Sequence, residues 1–343
     1  MKRIFLFFII LSFSSCTKFI YIIEQGQGQL SLLHKAKDNK KVLKDVRVLP
    51  KHKEKIRFIG GLKNYFYKYF KIKPTEAYSK TTFLDRDAVT YLVVASPHDK
   101  IKAINHCFPF IGCFPYLGFF DPNSSLQFRN DLEQEDYVTY QRPVYAYSTT
   151  GYFNDPILST FFKFKDFDLA ELIFHELFHT IFFIKNEVDL NENLANYFGR
   201  QLAFEYFKKD ESFRNKVKQK ESDLEFLKRF IVKATARLQS IYKTKSPQNK
   251  KESELLLASF LKTDFIPGVT EICAKRKMDH CFALKRQWNN ASFSAYLTYE
   301  KNSEGIENLH TKLNLSLFDY FKYIKMAYEK YEGEDFSKDF FNR

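Results

Sequence analysis

The sequence predicts an α+β protein in which helix predominates, and three stretches carry that expectation. Residues 88–95, Ala-Val-Thr-Tyr-Leu-Val-Val-Ala, are apolar and β-branched in the manner of a strand. Residues 166–184 are nearly free of helix breakers and too apolar for a solvated helix, so they should form a buried central one. In residues 210–245, Phe213, Val217, Leu224, Leu227, Ile231, Ala234, Leu238 and Ile241 recur at spacings of three, four or seven, the stripe of a long helix.

In chain order, Lys2-Arg3, a charge-free run from Ile4 to Phe13 and Ser14-Ser15-Cys16 form a leader whose apolar core is too short to span a bilayer, which takes about 20 residues. Residues 1–15 are therefore expected to be a lipoprotein-type signal peptide, although Phe13 stands where Leu is usual. Cys16 would carry the lipid and anchor the mature chain, residues 16–343, to a membrane of a bacterial cell envelope. The alternative is a secreted or periplasmic soluble protein. The formal charge of +13 could suit nucleic acid or an anionic membrane surface. The lysines look scattered or confined to outer helix faces, and no nucleic-acid motif accompanies them, so no nucleic-acid partner is expected.

Residues 16–80 read as a helical lead-in. Gln25-Gly26-Gln27-Gly28-Gln29 would weaken a helix unless something packs closely there, and 51–73 form an amphipathic helix stopped by Pro74. Residues 81–209 hold the sheet and the central helices. The aromatic, Pro- and Gly-containing stretches 107–120 and 137–148 suggest further strands or irregular loops. Residues 144–152 would be a strand delivering Tyr145, Tyr147, Ser148 and Tyr152 toward the central helix.

That helix contains Phe174-His175-Glu176-Leu177-Phe178-His179. Successive helical residues turn by about 100°, so His175 and His179 share a face and can share one metal ion. Glu176, one step round, can reach a water on that ion without ligating it, as a general base must. Asp166 or Asp168 can cap the first turn. A catalytic zinc needs a third protein ligand. Glu192, in Asp189-Leu190-Asn191-Glu192-Asn193-Leu194-Ala195-Asn196, would face the imidazoles if a second helix ran back against the first. Asp189-x-x-Glu192 is also a capping-box pattern, and Glu187 and Asp189 are the other candidates.

His-Glu-Leu-Phe-His followed by Asn-Glu-Asn-Leu-Ala, together with 146–160, 107–112, 115–121, 25–29 and Trp288-Asn289-Asn290-Ala291, resembles the bacterial putative zinc aminopeptidase family of the gluzincin type. Phe178 and Thr180 depart from the smaller or polar residues expected beside its metal helix. The resemblance covers most of the mature chain and implies a zincin-like metallopeptidase with a small sheet beside the H-E-x-x-H helix. It also implies one Zn²⁺ on His175, His179 and Glu192, Glu176 as general base and a peptide substrate. An edge strand beside the metal helix would bind substrate backbone. Tyr147 and Tyr152 are candidate donors to the developing oxyanion, or core residues in a tyrosine-rich chain. An aminopeptidase also needs an acid for the substrate's α-amine, for which Asp155, Glu171 and Glu187 are available. Two other readings stand beside this one: a non-catalytic, zinc-stabilised envelope lipoprotein that binds a partner, and a helical interaction protein with an accidental motif.

The second half, 210–343, should be helical. Ser246-Pro247-Gln248 ends the long helix, another spans 252–261, Pro267-Gly268 breaks the chain, and helices resume at 287–299 and 315–331. Without repeats or low-complexity linkers, one unit is expected rather than two. Of Cys107, Cys113, Cys273 and Cys281, the local pairs 107–113 and 273–281 are preferred. A second metal site at Cys273, His280 and Cys281 lacks the usual tight spacing. His34, His52, His98, His106 and His310 read as surface or satisfied residues.

Overall fold

A computed structural model describes residues 14–108, 112–146, 154–185, 187–208, 211–278, 281–298 and 303–341. Helix predominates, with three small sheets among the described residues, as the composition of the stretches predicts.

The lead-in comprises α1 (Ser14–His34), β1 (Lys37–Asp38), α2 (Asn39–Lys44) and α3 (Pro50–Phe70). In α1, Tyr21 and Gly28 turn inward. Tyr21 packs on Phe108 and Phe119 at 5.5 and 5.2 Å between ring centroids. A Cβ on Gly28 would stand 2.2 Å from the Phe120 ring, so the glycine is the condition for close docking. The Gln-Gly repeat is thus a seat for the body of the protein. α3 starts on Pro50, where a missing N–H costs nothing, and buries Ile56, Ile59, Leu62, Phe66 and Phe70 at spacings of three and four. It ends at Phe70 on a left-handed Lys71, before Pro74 is reached.

The middle of the chain supplies β2 (Lys80–Thr82), β3 (Thr90–Ser96), β4 (His106–Phe108), β5 (Gly112–Phe114), β6 (Leu117–Phe119), α4 (Pro122–Gln134), β7 (Val138–Val144) and β8 (Ile157–Leu158). β3 lies between β6 and β7, antiparallel to both. One face of β3, Val93 and Ala95, packs with Leu132 of α4; the other, Leu92 and Val94, faces the remaining helices. The strand expected at 144–152 ends where it was expected to begin, at Val144, and residues 147–153, with Tyr147, Ser148 and Tyr152, lie outside the described residues. Cys107 and Cys113 are joined within the β4–β5 hairpin, and Cys273 with Cys281, so the local pairing holds.

Next come α5 (Asp166–His179) and α6 (Val188–Tyr206), a tightly packed helical hairpin. Neither Asp166 nor Asp168 caps α5. Lys165 holds that position without a side-chain bond, and Asp166 instead pairs with Lys55 of α3 at 2.7 Å. The turn between the helices is fastened by buried Asn191, which accepts the N–H of Ile184 and donates to its C=O. Phe178 stacks on Phe198 at 4.7 Å, and Thr180 bonds the carbonyl of Leu177. Phe178 thus faces the core, and Thr180 is engaged at the end of α5.

The remaining helices are α7 (Glu211–Lys245), α8 (Lys250–Phe260), α9 (Ile266–Lys275), α10 (Phe282–Lys285), α11 (Asn290–Thr298), α12 (Ser303–Leu313), α13 (Leu317–Glu329) and α14 (Phe336–Phe341). Pro267-Gly268 does not break the chain. A π-helical turn at 261–265 leads α8 into α9, and Pro267 sits in the first turn of α9, where it is tolerated. Gly268 lets the ring of Phe230 approach to 2.3 Å of where a Cβ would be. α7 to α11 enclose a second core around Leu238, Phe265 and Phe293. Trp288-Asn289-Asn290-Ala291 joins that core to the sheet: Asn290 donates to the carbonyls of His98 and Lys100, Asn289 to that of Thr139, and Ala291 packs on Leu92 and Val94. His98 and His310 have hydrogen-bond partners and His52 stacks on Phe162.

Candidate metal centre

His175 and His179, one turn apart on α5, bring their Nε2 atoms to 3.1 Å. Glu192 of α6 stands across the hairpin, with Oε2 3.6 Å from His175 Nε2 and Oε1 3.6 Å from His179 Nε2. Glu192 therefore faces the imidazoles, and α6 starts from Glu187 with no side-chain cap. Glu187 meets the backbone N–H of Ser337 instead, and with Asp189 lines a different cleft. Among the described residues these are the His, Cys, Asp and Glu side chains that converge as a metal ion requires.

The electrostatics suit a cation. Burial holds His175 down to about 4, opposed by a hydrogen bond that the imidazole donates to Asn196, and burial with the neighbouring His175 holds His179 down to about 3. Both imidazoles are thus neutral near pH 7, and a neutral imidazole has one ring nitrogen with a lone pair, the form in which histidine binds a metal ion. His179 Nδ1 has no partner among the described residues. Burial pushes Glu192 up to about 7, with Arg142 opposing. Ligand nitrogens about 2.0–2.1 Å from a shared tetrahedral ion stand roughly 3.3 Å apart, so the observed spacings fit one ion without rebuilding.

Glu176, beside His175, is buried, and its carboxyl is held well above the usual range by burial and by the charges of Glu192 and Asp155. A cavity of about 310 Å³ opens over this group. Its walls are Tyr21 and Gln25 of α1, and Thr90, Leu92, Gly118, Arg142 and Val144 of the sheet. Within that sheet β6 and β7 are the edge strands. Of the acids considered for a substrate amine, Glu171 is held by Arg200 and Glu187 lies elsewhere, whereas the charge of Asp155 is felt at Glu176.

Sequence reasoning missed Tyr21, Gln25, Arg142, Asn196 and Gly199. A signal existed for two of them: Glu192, Asn196 and Gly199 follow at i, i+4 and i+7, one face of α6. Gly199 is where the two helices come closest, since a Cβ there would lie 2.9 Å from the Glu171 carbonyl oxygen and the His175 nitrogen.

Fold and site together define a helical α+β protein in which two histidines and a glutamate, held on a helical hairpin, could bind a metal ion. The chain belongs to the putative aminopeptidase family, which it matches over residues 20–335. No match is found among curated proteins or among solved structures.

Proposed function

We propose that the protein is a zinc-dependent peptide hydrolase acting as an aminopeptidase. The observation that carries the reading is the convergence of His175, His179 and Glu192 beside a buried carboxyl, Glu176, in the floor of a cavity. Bound zinc would supply Lewis acidity, bringing a water toward neutral pKa and polarising the scissile carbonyl. His175, His179 and Glu192 hold the ion. Glu176 takes the proton of the attacking water and returns it to the leaving amine. The edge of β7 offers backbone for an extended peptide. Tyr147 and Tyr152 remain the proposed donors to the oxyanion. No fourth His, Cys, Asp or Glu joins the set among the described residues, which favours an open coordination position over a closed structural site. The gluzincin assignment, the zincin-like fold and the lipid anchor on Cys16 belong to the same proposal.

The test joins zinc analysis of protein purified without chelators to product analysis on a mixed peptide library, for wild type and Glu176→Gln. Residues released singly from amino termini, zinc retained in both proteins and a fall of at least about a hundredfold in the variant are expected. Equal cleavage by both proteins refutes the hydrolase; zinc without cleavage leaves the envelope-binding lipoprotein.

A further inference from the structure

The link between α1 and α3 carries a combination that neither the fold nor the metal centre uses. Residues 35–55 contain nine basic and three acidic residues. Lys40, Lys41, Lys44 and Lys51 are exposed and enter no ion pair among the described residues. At the tip of this segment, Val46 is 93% exposed and Leu49 50%, immediately before Pro50 stiffens the start of α3. Leu49 joins Val42, Val48 and Phe83 in lining a cleft of about 580 Å³ that also carries Lys37, Lys41 and the Arg47–Asp45 pair. The outer face of α1, which leads into this segment, shows exposed Ile20, Ile23 and Leu30.

Single exposed apolar residues are ordinary. An apolar tip set among unpaired cations is a narrower pattern, because each half favours a different layer of one target. Lysines gain from lipid phosphates, and apolar side chains gain from the layer just below. A solvated face needs no apolar tip, and a nucleic-acid surface is served by stacking rings rather than Val and Leu.

We propose that residues 35–55 dock on an anionic lipid bilayer, Val46 and Leu49 entering the headgroup layer while the exposed lysines meet lipid phosphates. The docking needs neither the lipid on Cys16 nor hydrolase activity.

The test uses the full chain with Val46→Trp, since the native Trp288 is buried and its emission should not respond to lipid. In vesicles of equal parts phosphatidylcholine and phosphatidylglycerol, the new indole is expected to shift to the blue and be quenched by brominated acyl chains. In phosphatidylcholine alone it should not. Adding Lys40→Gln, Lys41→Gln and Lys44→Gln should weaken the response by on the order of a hundredfold, about fivefold per charge, and high salt should do likewise. The leader is common to all variants, so quenching indifferent to lipid charge and to the three lysines would report the leader alone and overturn the proposal. Emission identical in buffer and in both vesicles also overturns it. So does a shift that grows with protein concentration without lipid, which would mean that a second copy covers the tip.

Discussion

Replacing Gly199 with alanine sets two effects against each other at the centre of the helical hairpin. In an open helix interior this exchange gains about 0.5–1 kcal/mol, because glycine loses more backbone freedom on folding. At Gly199 the new Cβ would stand 2.9 Å from two backbone atoms of α5 and 3.1 Å from His175 Cα, where ordinary contact begins near 3.4 Å. The obstacles are backbone, so no side chain can swing aside, and α6 must withdraw by about half an ångström. Overpacking of this kind costs about 1–3 kcal/mol, leaving a net loss of up to about 2.5 kcal/mol. Glu192 and Asn196 share the face that withdraws, and metal sites tolerate displacements of only about 0.2 Å. Metal affinity should fall by about 10- to 100-fold. The control is Gly60, inside α3, whose added Cβ would meet nothing within 4 Å and which should show the ordinary gain. Urea unfolding of the metal-free proteins and zinc titration read both effects. If Gly199→Ala is stabilised as much as Gly60→Ala and binds zinc unchanged, the close approach does not set the ligand geometry.

His179→Ala should lose the ion and stability together, and Glu192→Ala should weaken metal binding; unchanged zinc content by elemental analysis in the latter would put the third ligand elsewhere. Glu221 of α7, which faces Arg200 of α6 at 3.3 Å, is pushed up to about 7 by burial. A raised carboxyl favours the folded state while protonated, so this contribution is full below about 4.5 and is lost as pH rises through about 7, on the order of 2–3 kcal/mol. Glu221→Gln should flatten the thermal midpoint across that window, and parallel curves for the two proteins would count against it. Cys16→Ser should release the protein from membranes after a salt wash; persistence in the washed fraction argues against a lipid anchor.

Local patterns were legible in the sequence and distant ones were not. His175, His179 and Glu192 could be placed from helical periodicity because one hairpin holds all three. The alternative capping role of Glu192 fails because the N-cap of α6 is Glu187, two residues before the Asp189 that the box would place there. Pro267-Gly268 reads as a break only when neighbours are ignored: the proline falls in a first turn, and the glycine answers to Phe230, far away in sequence. The same holds for the cavity. Nothing near Tyr21, Gln25 or Arg142 announces a wall, since each acquires that role by meeting elements it does not adjoin in the chain. Strand limits moved by two residues at β3, and by more at β7, because pairing rather than propensity sets where a ladder ends.

The walls of the cavity also differ in how far apart in the chain their partners lie, and that difference bears on the order of assembly. The ligand set belongs to a local hairpin, whereas docking α1 joins positions such as Glu24 and Asp121, 97 residues apart. Local helical contacts form quickly; closing so long a loop carries an entropy cost that must be met before any contact repays it. A nascent molecule would hold its ion before it could hold a peptide. Until the first helix finds the middle of the chain, the proposed chemistry has an ion and a base but no wall to place a substrate against, so the timing of folding itself delays the onset of hydrolysis.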